Sequence, residues 1–278
     1  MEYHKHISSK NKLFDLKLGE VWRYRGLAWL FTKREFKVAY KQTILGPAWL
    51  FIRPIMTALI HMLVFNTIAN LTTMGVPKFA FQVTSTAIWT FFSSCISDGS
   101  GTFLSNSGLF GKVYFPRLIK PISYIMSGLI RFGIQMLLVI ALLCYYVPTG
   151  QISPNYLAWL LIPPVLIGLG IMGMGFGLIV SSVTTKYRDL SILVSFGVQL
   201  WMYGSPIVYP LDQLGGILRT ILVINPVTAP VEILRYAILG QGVIEPLSVV
   251  TFICAIVIFG ALGAVLFNRT EKNFIDII

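Results

Sequence analysis

Charged residues are scarce in this chain, and acidic ones are the scarcest. Only 12% of its 278 residues are charged, and Asp and Glu together number eleven. A soluble domain carries about 25% charged residues, so the composition argues against a soluble protein. With 55% hydrophobic residues, the chain is predicted to be an all-α polytopic membrane protein.

Patterns that carry catalysis or bind metals are missing as well. The sequence contains no GxxxxGK[ST] nucleotide loop, no HExxH pair and no GxSxG elbow. Its three cysteines lie far apart in apolar stretches, which favours packing roles for Cys95, Cys144 and Cys254 over a disulfide or metal site. The apolar stretches hold no Asp or Glu, which a proton-coupled transporter would usually need. Transport driven by another protein is therefore the leading interpretation.

Six apolar stretches are long enough to cross a bilayer, which takes about 20 residues of helix. They cover residues 47–70, 79–97, 121–147, 156–183, 190–209 and 246–267. Residues 210–245 are apolar in parts but broken by Gly and Pro, which predicts a re-entrant pair of short helices. In the fourth stretch, the small residues of "GLGIMGMGFG" (168–177) predict close helix packing rather than a nucleotide site.

Positive charge sets the expected orientation. Ten of the 22 Lys and Arg precede residue 47, and most others lie in alternate loops, so both termini are predicted to face the cytoplasm. The first 43 residues are too polar for a secretory signal, which agrees with that expectation. The net charge of +11 is thus attributed to topology and contact with anionic membrane lipid, and no feature indicates nucleic-acid binding.

The sequence predicts two parts, a cytoplasmic N-terminal segment, residues 1–46, and a transmembrane domain, residues 47–278. Residues 13–40 have the pattern of an amphipathic helix, with aromatic and apolar residues near one face. That face holds Phe14, Leu18, Trp22, Trp29 and Phe36. The helix is either a plain membrane anchor or a surface that also receives a partner subunit, and the pattern favours neither.

Polar residues recur at every fourth position in several spans, which places each set on one helix face. Interhelical hydrogen bonds account for most of them, and some are expected to face a wet passage. Arg53 lies ~9 Å inside its span and could snorkel to the surface. Arg131 lies ~15 Å inside, near the middle of a ~30 Å core, and no acidic residue within the predicted spans is available to pair with it.

Two segments resemble a known family. "YKQTILGPAWLFIRP" (40–54) is similar to the entry into the first span of ABC-2 type permeases that export polysaccharides. "NSGLFGKVYFPRLIKP" (106–121) is similar to the loop between their second and third spans. The resemblance covers nearly the whole chain and is strongest to the O-antigen (lipopolysaccharide) exporters, although capsule and teichoic acid permeases share the motifs.

The resemblance implies a homodimer of six-span subunits joined to two ATP-binding subunits, which would hold ATP and Mg²⁺; no cofactor is expected in this chain. It also implies export of an undecaprenyl-diphosphate-linked polysaccharide across the bacterial inner membrane. The loop 98–118 would contact the ATPase, and the short helices at 210–245 would help to close the periplasmic side. The residues expected to couple to the ATPase are Val113, Tyr114, Phe115 and Arg117.

The polar stripes and the family's dimer arrangement together predict a substrate path along the first and fifth spans. Gly46 and Pro47 would make the turn into the first span, where Arg53 would meet a diphosphate headgroup. The predicted path residues are Trp49, Arg53, Thr57, His61, Ser195, Gln199 and Tyr203. A membrane-embedded enzyme of envelope glycan assembly, and an ABC-2 exporter of a small hydrophobic molecule, remain as alternatives.

Overall fold

A computed structural model describes residues 18–41, 43–110, 115–184 and 189–274. These residues form helices and connecting segments, with no strand among them. The α-helices of this part of the chain are α1 Leu18–Arg23, α2 Arg25–Tyr40, α3 Trp49–His61, α4 Lys78–Ser100, α5 Thr102–Phe110, α6 Ile119–Tyr146, α7 Ile162–Thr184, α8 Leu190–Tyr203, α9 Gly216–Ile224, α10 Thr228–Leu239 and α11 Pro246–Phe274.

Five helical segments are long and apolar enough to cross a membrane. They match the predicted spans one to four and six, and α9 with α10 would make a sixth if that bent pair is one span. The segments are Gly46–Ile68, Lys78–Ser100, Ile119–Tyr146, Leu157–Thr184 and Pro246–Thr270. The prediction of an all-helical polytopic membrane protein is confirmed.

The predicted fifth span, 190–209, is shorter than expected. Helix α8 has 14 residues, which is about 21 Å of helix and less than the ~30 Å hydrocarbon core. It ends at Tyr203 because Gly204 follows it and Pro206 disfavours helical geometry in the residue before it. The four residues after Gly204 are instead buried against the rest of the chain as a non-helical segment.

The turn into the first span is as predicted. Gly46 has a φ of +50°, a left-handed conformation that a glycine adopts without strain. Pro47 lies in the first turn of a short 3₁₀ helix, Gly46–Ala48, which continues directly into α3. Helix α3 runs without a break through Pro54 and then widens into a π-helical segment, Met62–Ile68.

Glycines of α7 bring this helix into direct backbone contact with its neighbours, as the sequence predicts. A Cβ on Gly175 would lie 2.4 Å from the carbonyl oxygen of Phe259 in α11, and one on Gly177 would lie 2.5 Å from that of Ile96 in α4. No side chain larger than hydrogen fits at these positions. Helix α7 is therefore held between α4 and α11, at the centre of the bundle.

The N-terminal helices lie against α6. Helix α2 buries Ala28, Phe31 and Thr32, and Thr32 Oγ1 donates a hydrogen bond to the backbone carbonyl of Ser123 at 3.3 Å. The two tryptophans of the predicted apolar face point elsewhere, since Trp22 is 70% exposed and Trp29 45%. These rings are free of the bundle and available to an external surface.

Helices α9 and α10 meet at 90°, so the prediction of an interrupted segment before the last span is confirmed. Arg235, in the second of these helices, is fully buried. Its Nη1 donates to Glu232 Oε1 at 3.0 Å and its Nε to Ser85 Oγ of α4 at 2.8 Å. The bond to Ser85 fastens the bent segment to α4, while Glu232, in the same helix as Arg235, balances the charge of the guanidinium.

The glycine contacts give a direct test of the packing. Gly177→Ala forces a methyl group against the Ile96 carbonyl and should destabilise the protein by about 1–3 kcal/mol, the usual cost of overpacking. Gly133→Ala in α6 is the matched control, because nothing lies within 4 Å of its added Cβ. Thermal stability in detergent, followed by size-exclusion chromatography, should fall for Gly177→Ala alone. Equal stability of the two variants would contradict the packing.

Candidate transport path

A cavity of about 410 Å³ lies where α2 ends and α3 begins, against α4 and α6. Its wall includes two of the predicted path residues, Trp49 and Arg53. It also includes Arg131, together with Thr90 of α4 and Gln135 of α6, which belong to the polar sets spaced four residues apart. The cavity therefore carries two guanidinium groups at the start of the first candidate span.

Arg131 has an acidic partner, contrary to the sequence analysis. Its Nη2 lies 2.9 Å from Asp98 Oδ2. Asp98 falls outside the predicted span because the apolar stretch ends at residue 97, whereas α4 continues to Ser100. The signal in the sequence is its position directly after the stretch 79–97.

The side chain of Arg131 reaches along α6 to meet Asp98. Arg131 lies well inside the helical segment Ile119–Tyr146, and its neighbours on the cavity wall include Thr90 and Ser94 of α4. Its guanidinium contacts the Asp98 carboxylate in the last turn of α4. The depth expected for Arg131 stays a prediction.

Arg53 is exposed to the cavity side, and no acidic side chain in the described part of the chain pairs with it. Tyr40, on the same cavity wall, lies near both arginines. Burial raises the pKa of its hydroxyl, while the positive charges of Arg131 and Arg53 act in the opposite direction. Because the net shift is upward, Tyr40 stays neutral at physiological pH and can donate a hydrogen bond into the same cavity.

The remaining first-span residues of the predicted path continue along α3. Thr57 is half-buried, and His61 is 6% exposed with its ring edge-on to Phe65 at 5.9 Å. Phe65 in turn lies 6.2 Å from the ring of Tyr203 at the end of α8. The structure thus brings Tyr203 to the first span through an aromatic contact.

Ser195 and Gln199 lie on an exposed face of α8. Ser195 Oγ donates to the carbonyl of Ser191 in its own helix, at 2.9 Å. Large apolar residues beside them are also exposed, including Leu193 at 66% and Phe196 at 61%. The structure does not bring Ser195 and Gln199 together with Trp49 and Arg53, so their place on a common path stays a prediction.

The polar stripe of α4 consists of Gln82, Thr86 and Thr90. Its Gln82 end makes interhelical contacts, as expected for most of these residues. Gln82 Nε2 donates to Asn66 Oδ1 at 2.9 Å and to the carbonyl of Val208 at 3.0 Å. Asn66 and the segment after α8 are partners that helix periodicity does not reveal. Gln82 therefore joins α4 to the end of the first span and to the chain beyond α8.

The expected ATPase-facing residues fall into two groups. Val113 and Tyr114 lie outside the described residues. Phe115 is only 5% exposed and packs against Phe31 of α2, with ring centroids 5.6 Å apart, and Arg117 is half-buried. An aromatic anchor for a partner's pocket must face outward, so this geometry corrects the orientation expected for Phe115.

Lys120, in the first turn of α6, makes a second link to α2. Its ammonium lies 2.6 Å from Glu35 Oε1 and is 4% exposed. It also sits 5.0 Å and 4.6 Å from the ring centroids of Phe31 and Tyr124, where the ring faces attract a cation. Lys120 therefore clamps α2 to the start of α6.

The five helical segments long and apolar enough to cross a membrane are those of a multi-pass membrane protein. The sequence matches the ABC-2 type transporter family over residues 27–239. The chain therefore belongs to this family, as the two motif segments predict.

The similarity to individual relatives is spread along the chain. An O-antigen export system permease protein RfbA of Klebsiella pneumoniae is 28% identical over 255 residues, which cover 90% of this chain and 93% of the relative. A second protein of that name from Klebsiella pneumoniae is 27% identical over 252 residues, with the same coverage. One from Myxococcus xanthus is 26% identical over 198 residues, covering 70% and 72%.

The buried pair of Glu232 and Arg235 can be tested against an exposed one. Glu232→Gln leaves the Arg235 charge without its carboxylate in a fully buried site and should cost about 3–5 kcal/mol. Glu245→Gln removes the partner of Arg219. The side chains of Glu245 and Arg219 are 30% and 40% exposed, so this change should cost less than about 1 kcal/mol. Folded yield and thermal stability in detergent measure both. Comparable losses would show that the buried pair has no special role.

Proposed function

We propose that this chain is the permease subunit of an ABC exporter that moves a lipid-linked polysaccharide of the O-antigen type across a bacterial inner membrane. The observation that carries the proposal is similarity over 90% of the chain to permeases named for O-antigen export. In this proposal the carrier is undecaprenyl diphosphate, and both termini face the cytoplasm. Two ATP-binding subunits that hold ATP and Mg²⁺ assemble on a homodimer of the chain.

The exposed faces of α3 and α8 support a path shared between two copies. Met56 and Ile60 of α3 are more than half exposed, as are Leu193 and Phe196 of α8. These faces also carry Trp49, Ser195, Gln199 and Tyr203. Sugars present hydroxyl groups and apolar C–H faces, which suit a wall that mixes aromatic rings with hydrogen-bonding groups. A second copy would complete that wall.

Force from the ATPase enters through the loop 98–118 in this scheme. Phe115 in that loop and Lys120 just after it tie this region to α2, and α2, α4 and α6 all contribute to the cavity wall. Movement imposed on the loop would therefore reach the cavity through contacts inside the chain. Val113 and Tyr114 remain the residues expected to touch the ATPase, with Arg117 beside them, while Phe115 would act as an internal link.

Tyr114→Ala tests the coupling. Loss of one aromatic anchor typically costs 2 kcal/mol or more of binding energy, so the variant should copurify with less ATPase. Surface glycan should fall in a strain that depends on this permease, while the protein level stays normal. Gly133→Ala provides the control that keeps both. Full copurification and full surface glycan with Tyr114→Ala would remove this residue from the coupling surface.

Cysteine labelling tests the topology in a variant that lacks the three native cysteines. Gln151 and Ser105 are both exposed. Gln151 follows the C-terminal end of α6, and Ser105 follows the C-terminal end of α4. Because these consecutive spans would cross the membrane in opposite directions, the two residues are expected on opposite sides. An impermeant thiol reagent added to intact cells should label Gln151→Cys and leave Ser105→Cys unlabelled until the cells are opened. Labelling of Ser105→Cys from outside would reverse the proposed orientation.

The export proposal itself is tested by deletion of the gene and return of the wild-type chain. Surface polysaccharide should be lost on deletion and restored by complementation, with lipid-linked glycan accumulating inside the deleted strain. The wild-type permease should copurify with an ATP-binding subunit. Unchanged surface glycan after deletion would refute the proposed function.

A further inference from the structure

Asp98 and Arg131 form an ion pair that is only partly enclosed. The two side chains are 31% and 27% exposed, and Arg131 forms part of the cavity wall. In contrast, Glu232 and Arg235 are 1% and 0% exposed and act as a sealed structural clamp. The Asp98–Arg131 pair is thus open to a competing ion on its cavity side.

Arg131 keeps unused donors on that side. A guanidinium carries five N–H donors in a planar fork, and Asp98 contacts Nη2 of Arg131 through one carboxylate oxygen. Arg53 adds a second guanidinium to the same wall, with no acidic partner in the parts of the chain that the structure describes. Two arginines on the wall, with one carboxylate beside Arg131, leave the cavity with a net positive charge.

Phosphate groups are the ligands that suit this arrangement. Guanidinium forks match phosphate oxygens in geometry and charge, and such charge-assisted hydrogen bonds are about twice as strong as neutral ones. A diphosphate offers one phosphate group to each arginine. The position beside the entry to the first span favours a headgroup attached to a lipid over a freely dissolved anion.

We propose that Arg53 and Arg131 together bind the diphosphate headgroup of a lipid, and that the Asp98 carboxylate competes with this headgroup for Arg131. The assignment deepens the proposed export function and rests on it. Competition has a use in transport, because a headgroup must bind well enough to enter and weakly enough to leave. Asp98 would lower the affinity and speed release.

The position of Asp98 makes this competition local. The neighbouring Gly99 packs against α7, where an added Cβ would lie 3.1 Å from the Cα of Gly177. The end of α4 is therefore held in place, and Asp98 can exchange partners by a change of side-chain rotamer. A headgroup could take Arg131 without displacement of the helix.

The test uses the purified complex of permease and ATPase in lipid nanodiscs, titrated with undecaprenyl diphosphate and followed by native mass spectrometry. Arg131→Gln and Arg53→Gln should each weaken binding at least tenfold, since each removes a charged hydrogen-bonding partner. Asp98→Asn should tighten binding about three- to fivefold by removing the competitor, and should slow export in cells. Asp98→Glu should restore affinity close to the wild-type value.

Glu245→Gln and Arg219→Gln are matched controls, because that pair is similarly exposed and lies outside the cavity. Neither should change lipid binding. Thermal stability is measured for every variant, and Arg131→Lys gives a second measurement of the arginine's role. It keeps the charge but loses the planar fork, so its affinity should fall between those of the wild type and Arg131→Gln.

Weaker binding by Asp98→Asn at unchanged stability would overturn the competition, and unchanged binding by Arg131→Gln would overturn the site. Inorganic diphosphate that binds as tightly as the lipid would overturn the lipid assignment. Each of these results leaves the export function standing if wild-type cells still export glycan through the permease. The deletion experiment tests that function separately.

Discussion

The approach of α7 to α4 and α11 at glycine positions is the contact on which the rest of the bundle depends. Gly175 lies against the backbone of Phe259, and Gly177 lies against that of Ile96. Close approach of this kind replaces the hydrophobic driving force that helices lack in lipid. It fixes α4, whose buried polar residues then reach Asn66, the segment after α8 and Arg235.

The placement of α4 also fixes the charges near the cavity. Asp98 lies in the last turn of α4, and its carboxylate orients the Arg131 guanidinium. Lys120 and Arg235 are likewise held by acids, Glu35 and Glu232, because a buried unpaired charge is costly. Arg53, in contrast, has no acidic partner among the described residues. Because it lies on the cavity wall, it is the central residue of the proposed headgroup site.

Much of this fold could be predicted from hydropathy, because lipid demands long apolar helices and leaves few alternatives. The bend at Gly46 and Pro47 and the glycine packing of α7 also follow from local sequence. The partner of Arg131 and the burial of Phe115 could not be obtained in this way. Both depend on how far one helix is shifted along another, and residues as distant as Asp98 and Arg131 carry no local signal of that shift.

The candidate site was predictable only in part for the same reason. Trp49 and Arg53 share a helix turn, so their common wall follows from spacing. Tyr203 reaches the first span through Phe65, a contact that spacing does not encode. Ser195 and Gln199 lie on a face that the single chain leaves uncovered, so their role depends on the proposed second copy.

In the proposed function, ATP turnover by the partner subunits is coupled to a lipid-linked glycan held by this chain. The most direct measurement is the ATPase rate of the reconstituted complex in liposomes, with and without lipid-linked glycan in the bilayer. The rate should rise with the lipid-linked glycan and should not rise with the same glycan released from its lipid. An ATPase rate that is indifferent to the lipid-linked glycan, in a complex that is intact and active, would contradict the proposed function.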